Sequence, residues 1–395
     1  MIEGLRFQRP VLPASDAIER YLALSREERW FSNFGPCSDL LRTRLTSATK
    51  RPCVPVSNAT LGLIVAVAAL RGRAPSDAGE ALVPSFAFAA SAQAAVWNGL
   101  QPVFVDVHAD NWHLDTEALE AALRSRKGRV AVVIALSTFG VPPPPAVREG
   151  WEAACRHADV PLIVDSAAGY GALAADGVPI GSQGDVEVVS FHALKPVSAG
   201  EGGAVFCRDD ELADEVASLA NFAFDEHHQV TRPDGLNAKL SEPAAAIALA
   251  SLDGLQASLE IRSRLASEIL SRLPADFQQQ VENARGTWQF VPVAAPDSAA
   301  RAAVLEEATR RQIGIRTYYD PLHLMPAFSG CARAGDLSVT EALASRMLSL
   351  PMALDLESDE ITAIADMVRD GVGSAVTASS SSRSSTSQAV AQTHE

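Results

Sequence analysis

Short apolar runs alternate with segments of helical periodicity through the middle of the chain. The apolar runs predict strands at 81–84, 102–106, 130–136, 162–165, 186–191 and 204–207. Helical periodicity predicts helices between several of them, at 89–99, 114–126 and 145–157. Strands joined through helices pair in parallel, and strands that are apolar throughout are covered on both faces. The pattern therefore predicts an α/β fold with a large, mostly parallel sheet between helical layers.

The pattern changes after residue 242. An Ala/Leu-rich stretch predicts one long helix at 243–264, and mixed helices and short strands such as 289–293 follow. Near the end, 379–387 is almost wholly Ser, Thr and Arg, which cannot bury enough apolar surface to fold. The predicted parts are listed in chain order: an N-terminal segment, 1–34, packing on the small domain; a large domain, 35–255; a small C-terminal α+β domain, 256–375; and a disordered tail, 376–395.

The composition argues against several classes of protein. The chain has 33 basic and 48 acidic residues, a net charge of −15, which argues against nucleic-acid or membrane-surface binding. Its five cysteines are odd in number and form no C-x-x-C pair, as expected of free thiols in a reducing compartment. The N-terminus lacks a signal-peptide pattern, and no apolar run is long enough to span a membrane. We expect a cytoplasmic protein with no metal, nucleic-acid or membrane partner.

Candidate chemistry lies at the predicted strand ends, because ligands of open parallel sheets bind outside the carboxyl ends of the strands. Asp165 ends one apolar run, and Ser190, His192 and Lys195 lie at or just beyond the end of the next. An earlier segment, 56–62, opens a helix with small and hydroxyl residues. Each feature has a plainer interpretation: Lys195 as a surface lysine in a hairpin loop, Asp165 as a helix N-cap, and segment 57–58 as helix capping.

Together these residues suit a phosphorylated pyridine aldehyde. A partly desolvated Lys195 amine would form an imine with the aldehyde, and Asp165 would hold the proton on the ring nitrogen. Backbone N–H groups of Ala59 and Thr60 at a helix start, with the Ser190 hydroxyl, would hold the phosphate. Phe88 would then stack on the ring, although a phenylalanine at such a spacing is more often a core residue.

In chain order these segments resemble the DegT/StrS-type sugar aminotransferases, a fold-type-I family that uses pyridoxal 5′-phosphate (PLP). The strongest piece is Ser190-Phe191-His192-Ala193-Leu194-Lys195, followed by the glycine-rich 200–203. The other matching segments are 31–36, 56–60, 83–88, 102–107, 138–140, 164–168, 236–242, 321–323 and 348–352. The resemblance covers most of the chain. It implies a fold-type-I PLP transferase whose large domain has a seven-stranded type of sheet and binds the cofactor.

The resemblance also implies roles for individual residues. Lys195 carries PLP as a Schiff base and moves the proton, and Asp165 holds the pyridinium. Asn237 reaches the phosphate of the neighbouring subunit's cofactor, so that a homodimer shares its active sites. The implied donor is an amino acid, usually L-glutamate, and the acceptor is a keto group of a nucleotide-linked sugar. Candidates for binding these substrates are His192, Lys239, Arg316 and His323, of which Arg316 and Lys239 have the plainer interpretation of surface charges.

Several positions depart from the family pattern. Ala168 stands three residues after Asp165, where many members have Gln or His against the phenolic oxygen of the ring. The other departures are Ala59 for Gly, Ala87 for Thr, Lys239 for Arg and Ala353 for His. These changes weaken the substrate assignment more than the cofactor assignment. The alternatives are another fold-type-I PLP activity, such as a sugar dehydratase or lyase, and a non-catalytic regulatory relative.

Overall fold

The structure is a computed structural model that describes residues 4–72, 78–280 and 286–373. The predicted tail at 376–395 lies outside this part of the chain. The named helices are α1 (Ser15–Glu28), α2 (Pro36–Thr49), α3 (Ala59–Arg71), α4 (Ala89–Trp97), α5 (Thr116–Ser125), α6 (Pro145–Ala158), α7 (Asp210–Leu219), α8 (Glu242–Asp253), α9 (Leu255–Ser271), α10 (Ser298–Arg310) and α11 (Ser338–Ala344). Residues 358–373 are also helical. The strands are β1 (Cys53–Val56), β2 (Glu80–Pro84), β3 (Gln101–Val105), β4 (Val130–Leu136), β5 (Leu162–Asp165), β6 (Val186–Ser190), β7 (Gly203–Cys207), β8 (Val291–Ala294), β9 (Ala332–Ala334) and β10 (Met347–Leu350).

The large sheet has the order β1-β7-β6-β5-β4-β2-β3-β9 within the described residues. Neighbours pair in parallel from β6 to β9, whereas β7 pairs antiparallel with both β6 and β1. The predicted mostly parallel α/β fold is confirmed. The sheet has eight strands here, one more than the seven expected, because the short β9 from the C-terminal part adds to the edge at β3. Strand β9 was not predicted, because its three residues have mixed polarity and form no apolar run.

Helices cover the sheet on both faces, as the apolar strands require. On one side α3 packs on α4 and α7, with Leu63, Val65 and Val67 fully buried. On the other side α5 packs on α6 around the buried Trp151, and α2 packs on α8. The predicted strands 130–136 and 162–165 match β4 and β5 at both ends. The large sheet and its helices thus form the platform that carries the predicted site.

A second core lies in the C-terminal part. It gathers the antiparallel pair β8–β10, the later half of α9, α10 and the helical residues 358–373. The predicted single helix at 243–264 is instead two helices, α8 and α9, which meet at Gly254 with a bend of 60°. Glycine is a poor helix former, and the bend lets α8 pack against the large sheet while α9 turns into the second core. The domain boundaries proposed from the sequence remain a prediction.

The N-terminal segment divides between the two cores, whereas the sequence placed 1–34 on the small domain. Leu5 and Phe7 are buried in the second core. Helix α1 packs instead on α2 and α8, beside the large sheet. The buried carboxylate of Glu242, at the start of α8, accepts hydrogen bonds from Ser25 Oγ (2.7 Å) and from the Cys37 backbone N–H (2.6 Å). A carboxylate at the N-terminus of α2 also suits the helix dipole.

Four of the five cysteines are buried, Cys331 is half-buried, and all five are free thiols in the described chain. In that same part of the chain, no single helix has the length and apolar character needed to cross a membrane. The bent pair α8–α9 meets those two criteria only when its helices are taken together.

Candidate active site

Lys195 lies in the compact loop between β6 and β7, at the carboxyl edge of the parallel strands. The loop is closed by backbone hydrogen bonds, including Lys195 N–H to the His192 carbonyl (2.8 Å) and Ala193 N–H to the Gly200 carbonyl (2.8 Å). Gly200 adopts φ +77°, a conformation that favours glycine. Burial lowers the pKa of the Lys195 amine to about 8, with Asp165 opposing that shift. The lysine is therefore not the surface residue of the plainer interpretation.

Asp165 ends β5 and is almost fully buried. Its Oδ2 accepts a hydrogen bond from Ser91 Oγ (2.6 Å), and its Oδ1 accepts one from the Ala167 backbone N–H (3.1 Å). Burial raises the pKa of this carboxyl group, whereas the Ser91 and Ala167 hydrogen bonds and the Lys195 charge oppose the rise. A buried carboxyl group coupled to a desolvated lysine is the pair that the strand ends predicted, and it is not a helix N-cap.

The start of α3, residues 57–60, is the segment predicted to hold a phosphate, and we call it the anion cradle. Asn58 caps the helix by accepting a hydrogen bond from Leu61 N–H (2.9 Å), so capping is part of this segment's role. The backbone N–H groups of Ala59 and Thr60 belong to the first turn, where a helix leaves its donors without intrahelical partners. A Cβ at Gly203 would lie 2.9 Å from Ala59 N and 2.7 Å from the Val189 carbonyl oxygen, so glycine lets β7 approach the helix start.

Two hydroxyl groups stand at this cradle. Ser190 ends β6, is buried, and its Oγ accepts a hydrogen bond from His192 N–H (3.2 Å). Ser57 Oγ is buried and has no hydrogen-bond partner among the described residues. A phosphate at a helix N-terminus is the kind of group that such free donors bind.

The other residues predicted to contact the cofactor differ in how far they are exposed. Phe88 is 59% exposed and immediately precedes α4, so it is not the core residue of the plainer interpretation. Ala168 is buried, and its carbonyl oxygen accepts a hydrogen bond from Thr287 Oγ1 (2.6 Å). Asn237 is exposed and pairs with Asn221 through an isolated bridge. An exposed Asn237 is available to a second subunit.

The predicted substrate-binding residues are not brought together as one group. His192 is half-buried in the lysine loop, with its Nε2 3.7 Å from Glu201 Oε1. Lys239 follows Asn237 closely, and its Nζ lies 4.7 Å from the centroid of the Phe222 ring. Burial lowers the pKa of Lys239. Both residues therefore lie on the carboxyl-edge side, near the segments that carry Lys195 and Ala59.

Arg316 and His323, the other two candidates for substrate binding, lie in different surroundings from His192 and Lys239. Arg316 is exposed, and its guanidinium lies over the Phe7 ring at 5.5 Å. His323 is buried, with Nδ1 2.6 Å from Ser85 Oγ and Nε2 3.0 Å from Glu341 Oε1. Packing of 322–324 against the end of β2 encloses the His323 ring, and a role in binding substrate stays a prediction.

Three parts of the site gave no functional signal in the sequence. Ser91 was one small residue of an Ala-rich helix, yet it contacts Asp165. Gln289 accepts a hydrogen bond from Lys195 Nζ (2.9 Å), although the sequence showed only a polar residue beside an apolar run. A cavity of about 190 Å³ opens beside Lys195 and is lined also by residues 8–13 and Arg262. The described residues contain no group of three or more His, Cys, Asp or Glu side chains that could hold a metal ion.

A desolvated lysine, a buried carboxyl group and a helix-start anion cradle at one edge of a mostly parallel sheet define a fold-type-I enzyme of the PLP-dependent class. The family model described as the DegT/DnrJ/EryC1/StrS aminotransferase family matches residues 15–369, and this chain belongs to that family. One solved structure with the same fold, from Bacillus cereus ATCC 10987, is described as a putative PLP-dependent aminotransferase; its TM-score is 0.86 at 29% identity, and the match covers 93% of this chain and 100% of that chain.

Individual relatives agree over most of their length. Protein Rv3402c of Mycobacterium tuberculosis is 31% identical over 382 residues, which cover 93% of this chain and 90% of that protein. The dTDP-3-amino-3,4,6-trideoxy-alpha-D-glucose transaminase of Streptomyces venezuelae is 31% identical over 317 residues, covering 76% of this chain and 79% of the relative. The crystal structure of DesI with its TDP-sugar product has a TM-score of 0.85 and 31% identity, and the match covers 96% of both chains.

Proposed function

We propose that this enzyme uses PLP held by Lys195 to move an amino group from an amino acid, with L-glutamate as the expected donor, to a keto group of a nucleotide-linked sugar. The observation that carries the proposal is the Lys195 amine, which is desolvated at the sheet edge and coupled to the buried Asp165. The sugar acceptor is proposed from relatives whose names describe dTDP- and TDP-sugar chemistry.

The residues present fit the cofactor. The unpartnered Ser57 hydroxyl and the helix-start N–H groups of Ala59 and Thr60 are donors of the kind a phosphate requires. Ser190 would add its hydroxyl as a further phosphate donor. In a homodimer, Asn237 of the second subunit would complete the phosphate-binding part of the site. The exposed Phe88 would cover the ring. Bound PLP supplies an electron-withdrawing ring that makes the carbon next to an attached amine acidic.

The protein's own groups then move and hold protons. With a pKa near 8, an appreciable fraction of the Lys195 amine is neutral near neutral pH, so Nζ can take a proton from the substrate carbon and return it. The Asp165 carboxylate would hold a proton on the ring nitrogen through a charge-assisted hydrogen bond. Ser91 Oγ fixes Asp165 Oδ2, which leaves the carboxylate little freedom to rotate away.

Binding of the two substrates is proposed for the groups around this edge. His192 and Lys239 are the cations near the lysine loop and the anion cradle, whereas Arg316 lies exposed in the C-terminal part. Their role with a carboxylate or diphosphate stays a prediction, as do the homodimer, the domain boundaries and the cytoplasmic location. A panel of nucleotide-linked keto sugars with glutamate as donor, followed by product analysis, separates aminotransfer from dehydration or lysis.

Absorbance tests the proposal directly. The purified protein incubated with PLP is expected to show a visible band that borohydride removes, leaving the cofactor mass on the peptide that contains Lys195. Added glutamate is expected to bleach the same band and release 2-oxoglutarate. A protein that stays colourless with excess PLP would rule the proposal out.

A further inference from the structure

A segment from the second core reaches across the site to the catalytic lysine. We call residues 286–290 the bridging segment. Its Thr287 Oγ1 donates a hydrogen bond to the Ala168 carbonyl oxygen (2.6 Å), and its Gln289 Oε1 accepts one from Lys195 Nζ (2.9 Å). Thr287 and Gln289 are both buried. The bridging segment thus contacts both the turn that follows β5 and the lysine loop.

The backbone of the bridging segment also accepts hydrogen bonds from two other parts of the chain. The Gln289 carbonyl oxygen accepts a hydrogen bond from Gln8 Nε2 (2.9 Å), and the Trp288 carbonyl oxygen accepts one from Arg262 Nη1 (3.1 Å). Phe290, which follows, is buried in the second core. These contacts fix the backbone on both sides of the Gln289 side chain. They therefore limit the directions in which its amide can point.

Chemistry fixes which end of that amide faces the lysine. A charged lysine amine has three donors and no acceptor, so only the amide oxygen of Gln289 can meet it. The amide nitrogen then remains as a donor beside the same amine. In PLP the phenolic oxygen is attached to the ring carbon next to the one that bears the aldehyde. A donor beside the lysine amine would therefore lie near that oxygen if the lysine held the cofactor.

We propose that Gln289 is a positioning residue for Lys195, and that its amide also supplies the hydrogen-bond donor for the phenolic oxygen of PLP that Ala168 cannot supply. This inference rests on the proposed function. The amide oxygen holds the amine whenever the amine is free of cofactor, and the amide nitrogen serves the ring when the lysine is joined to it. The same bridging segment also contacts Ala168, through the hydrogen bond from Thr287 Oγ1 to the Ala168 carbonyl oxygen.

The cofactor-free protein provides a first test that does not depend on activity. Labelling of Lys195 by reductive methylation, followed across pH by peptide mass spectrometry, reports the pKa of its amine. Gln289→Leu removes the acceptor and is expected to lower that pKa by about one pH unit, whereas Gln289→Glu adds a charge and is expected to raise it by at least as much. Lys50 and Lys127 in the same digests, and Gln256→Leu and Gln256→Glu on the exposed face of α9, are the controls.

Opposite shifts for Leu and Glu support the inference, because general loosening of the loop would move both variants the same way. Equal pKa values in all three proteins, or shifts in one direction, would overturn it. Circular dichroism melting of each variant identifies any that fails to fold. In that case Gln289→His, which keeps both a donor and an acceptor, is expected to behave as the original protein does.

Cofactor binding provides the second test. Gln289→Leu is expected to weaken PLP binding about tenfold, a loss of one good hydrogen bond, and Ala168→Gln in the same protein is expected to recover most of it. An original protein without a borohydride-sensitive band contradicts the proposed function itself. A normal band in the original protein together with unchanged PLP binding in Gln289→Leu contradicts only the role of Gln289.

Discussion

The lysine loop and the bridging segment meet at one hydrogen bond, yet the chain builds them in different ways. The loop that carries Lys195 is the connection between two neighbouring strands, β6 and β7, so its position follows from local chain order. The bridging segment lies 94 residues further along the chain and arrives only because the second core packs beside the sheet.

The two regions therefore differ in the role that we expect for them: the strand ends in the reaction itself, and the bridging segment in its tuning. Asp165 and Lys195 end or follow adjacent parallel strands, and any fold that keeps the strand order keeps them together. Gln289 and Thr287 depend on how the second core is seated against the large sheet. We expect substitutions at the strand ends to abolish the reaction, and substitutions in the C-terminal part to change its tuning or the stability of the protein.

The largest effect is expected from Lys195→Ala. This substitution removes the amine proposed to join PLP and to move the substrate proton. The visible band and the conversion of glutamate to 2-oxoglutarate are both expected to disappear. Lys127→Ala, which removes an exposed lysine, is the matched control and should retain both. Persistent turnover in Lys195→Ala would falsify the assignment of the lysine.

Asp165→Asn is expected to have the next largest effect. Loss of the carboxylate removes the partner of the ring nitrogen, and a lost electrostatic contact of this kind costs about 10² to 10³ in kcat. Ser91→Ala keeps the carboxylate but removes one of its hydrogen bonds, so a smaller loss of about tenfold is expected. Stopped-flow absorbance of the glutamate half-reaction measures both. A loss in Asp165→Asn no larger than that in Ser91→Ala would contradict the proposed role of the Asp165 charge.

The pH dependence of cofactor incorporation is expected to be moderate. Because burial lowers the pKa of Lys195 to about 8, its neutral fraction rises about tenfold between pH 7 and 9 and then levels off. The rate of PLP incorporation into cofactor-free protein is expected to follow that curve. An ordinary exposed lysine would instead give a rise of about a hundredfold over the same interval, without a plateau.

The same shift predicts the sign of a stability change. Between pH 8 and the ordinary lysine pKa, the unfolded chain binds more protons at Lys195 than the folded chain does. Stability of the cofactor-free protein therefore gains from this group as pH rises through that window, and the cost is fully present below it. Comparison of denaturant midpoints for the original protein and Lys195→Met isolates the contribution. A midpoint difference that does not change with pH would contradict the lowered pKa.

The smallest effect on catalysis is expected from His323→Ala. The ring joins Ser85 to Glu341 inside the protein, so its loss leaves the buried Ser85 hydroxyl without its partner. We expect a stability loss of about 1–3 kcal/mol, measured by urea unfolding, with little change in KM. Ser85→Ala removes the same contact and is expected to lose a similar amount. A large rise in KM for the sugar at unchanged stability would restore His323 as a substrate ligand.

The sequence by itself determined the parts of this protein that depend on short-range order. Strands β4 and β5 could be placed to the residue because β-branched apolar runs between helical segments have one stable solution, a strand covered on both faces. The same order placed Asp165, Ser190 and Lys195 at one edge, since carboxyl ends of parallel strands meet there. The glycine-rich 200–203 indicated a sharp turn into the next strand, and β7 begins at Gly203.

Only the tertiary structure decided the rest. The seat of β9 at the sheet edge, the bend at Gly254 and the division of the N-terminal segment between two cores depend on contacts between distant residues. The same holds for the enclosure of His323 and for Gln289 on Lys195. A buried polar side chain must find a partner, but the sequence does not show which distant group that partner is. The position of Lys195 at the sheet edge was thus predictable, whereas its hydrogen bond to the Gln289 amide was not.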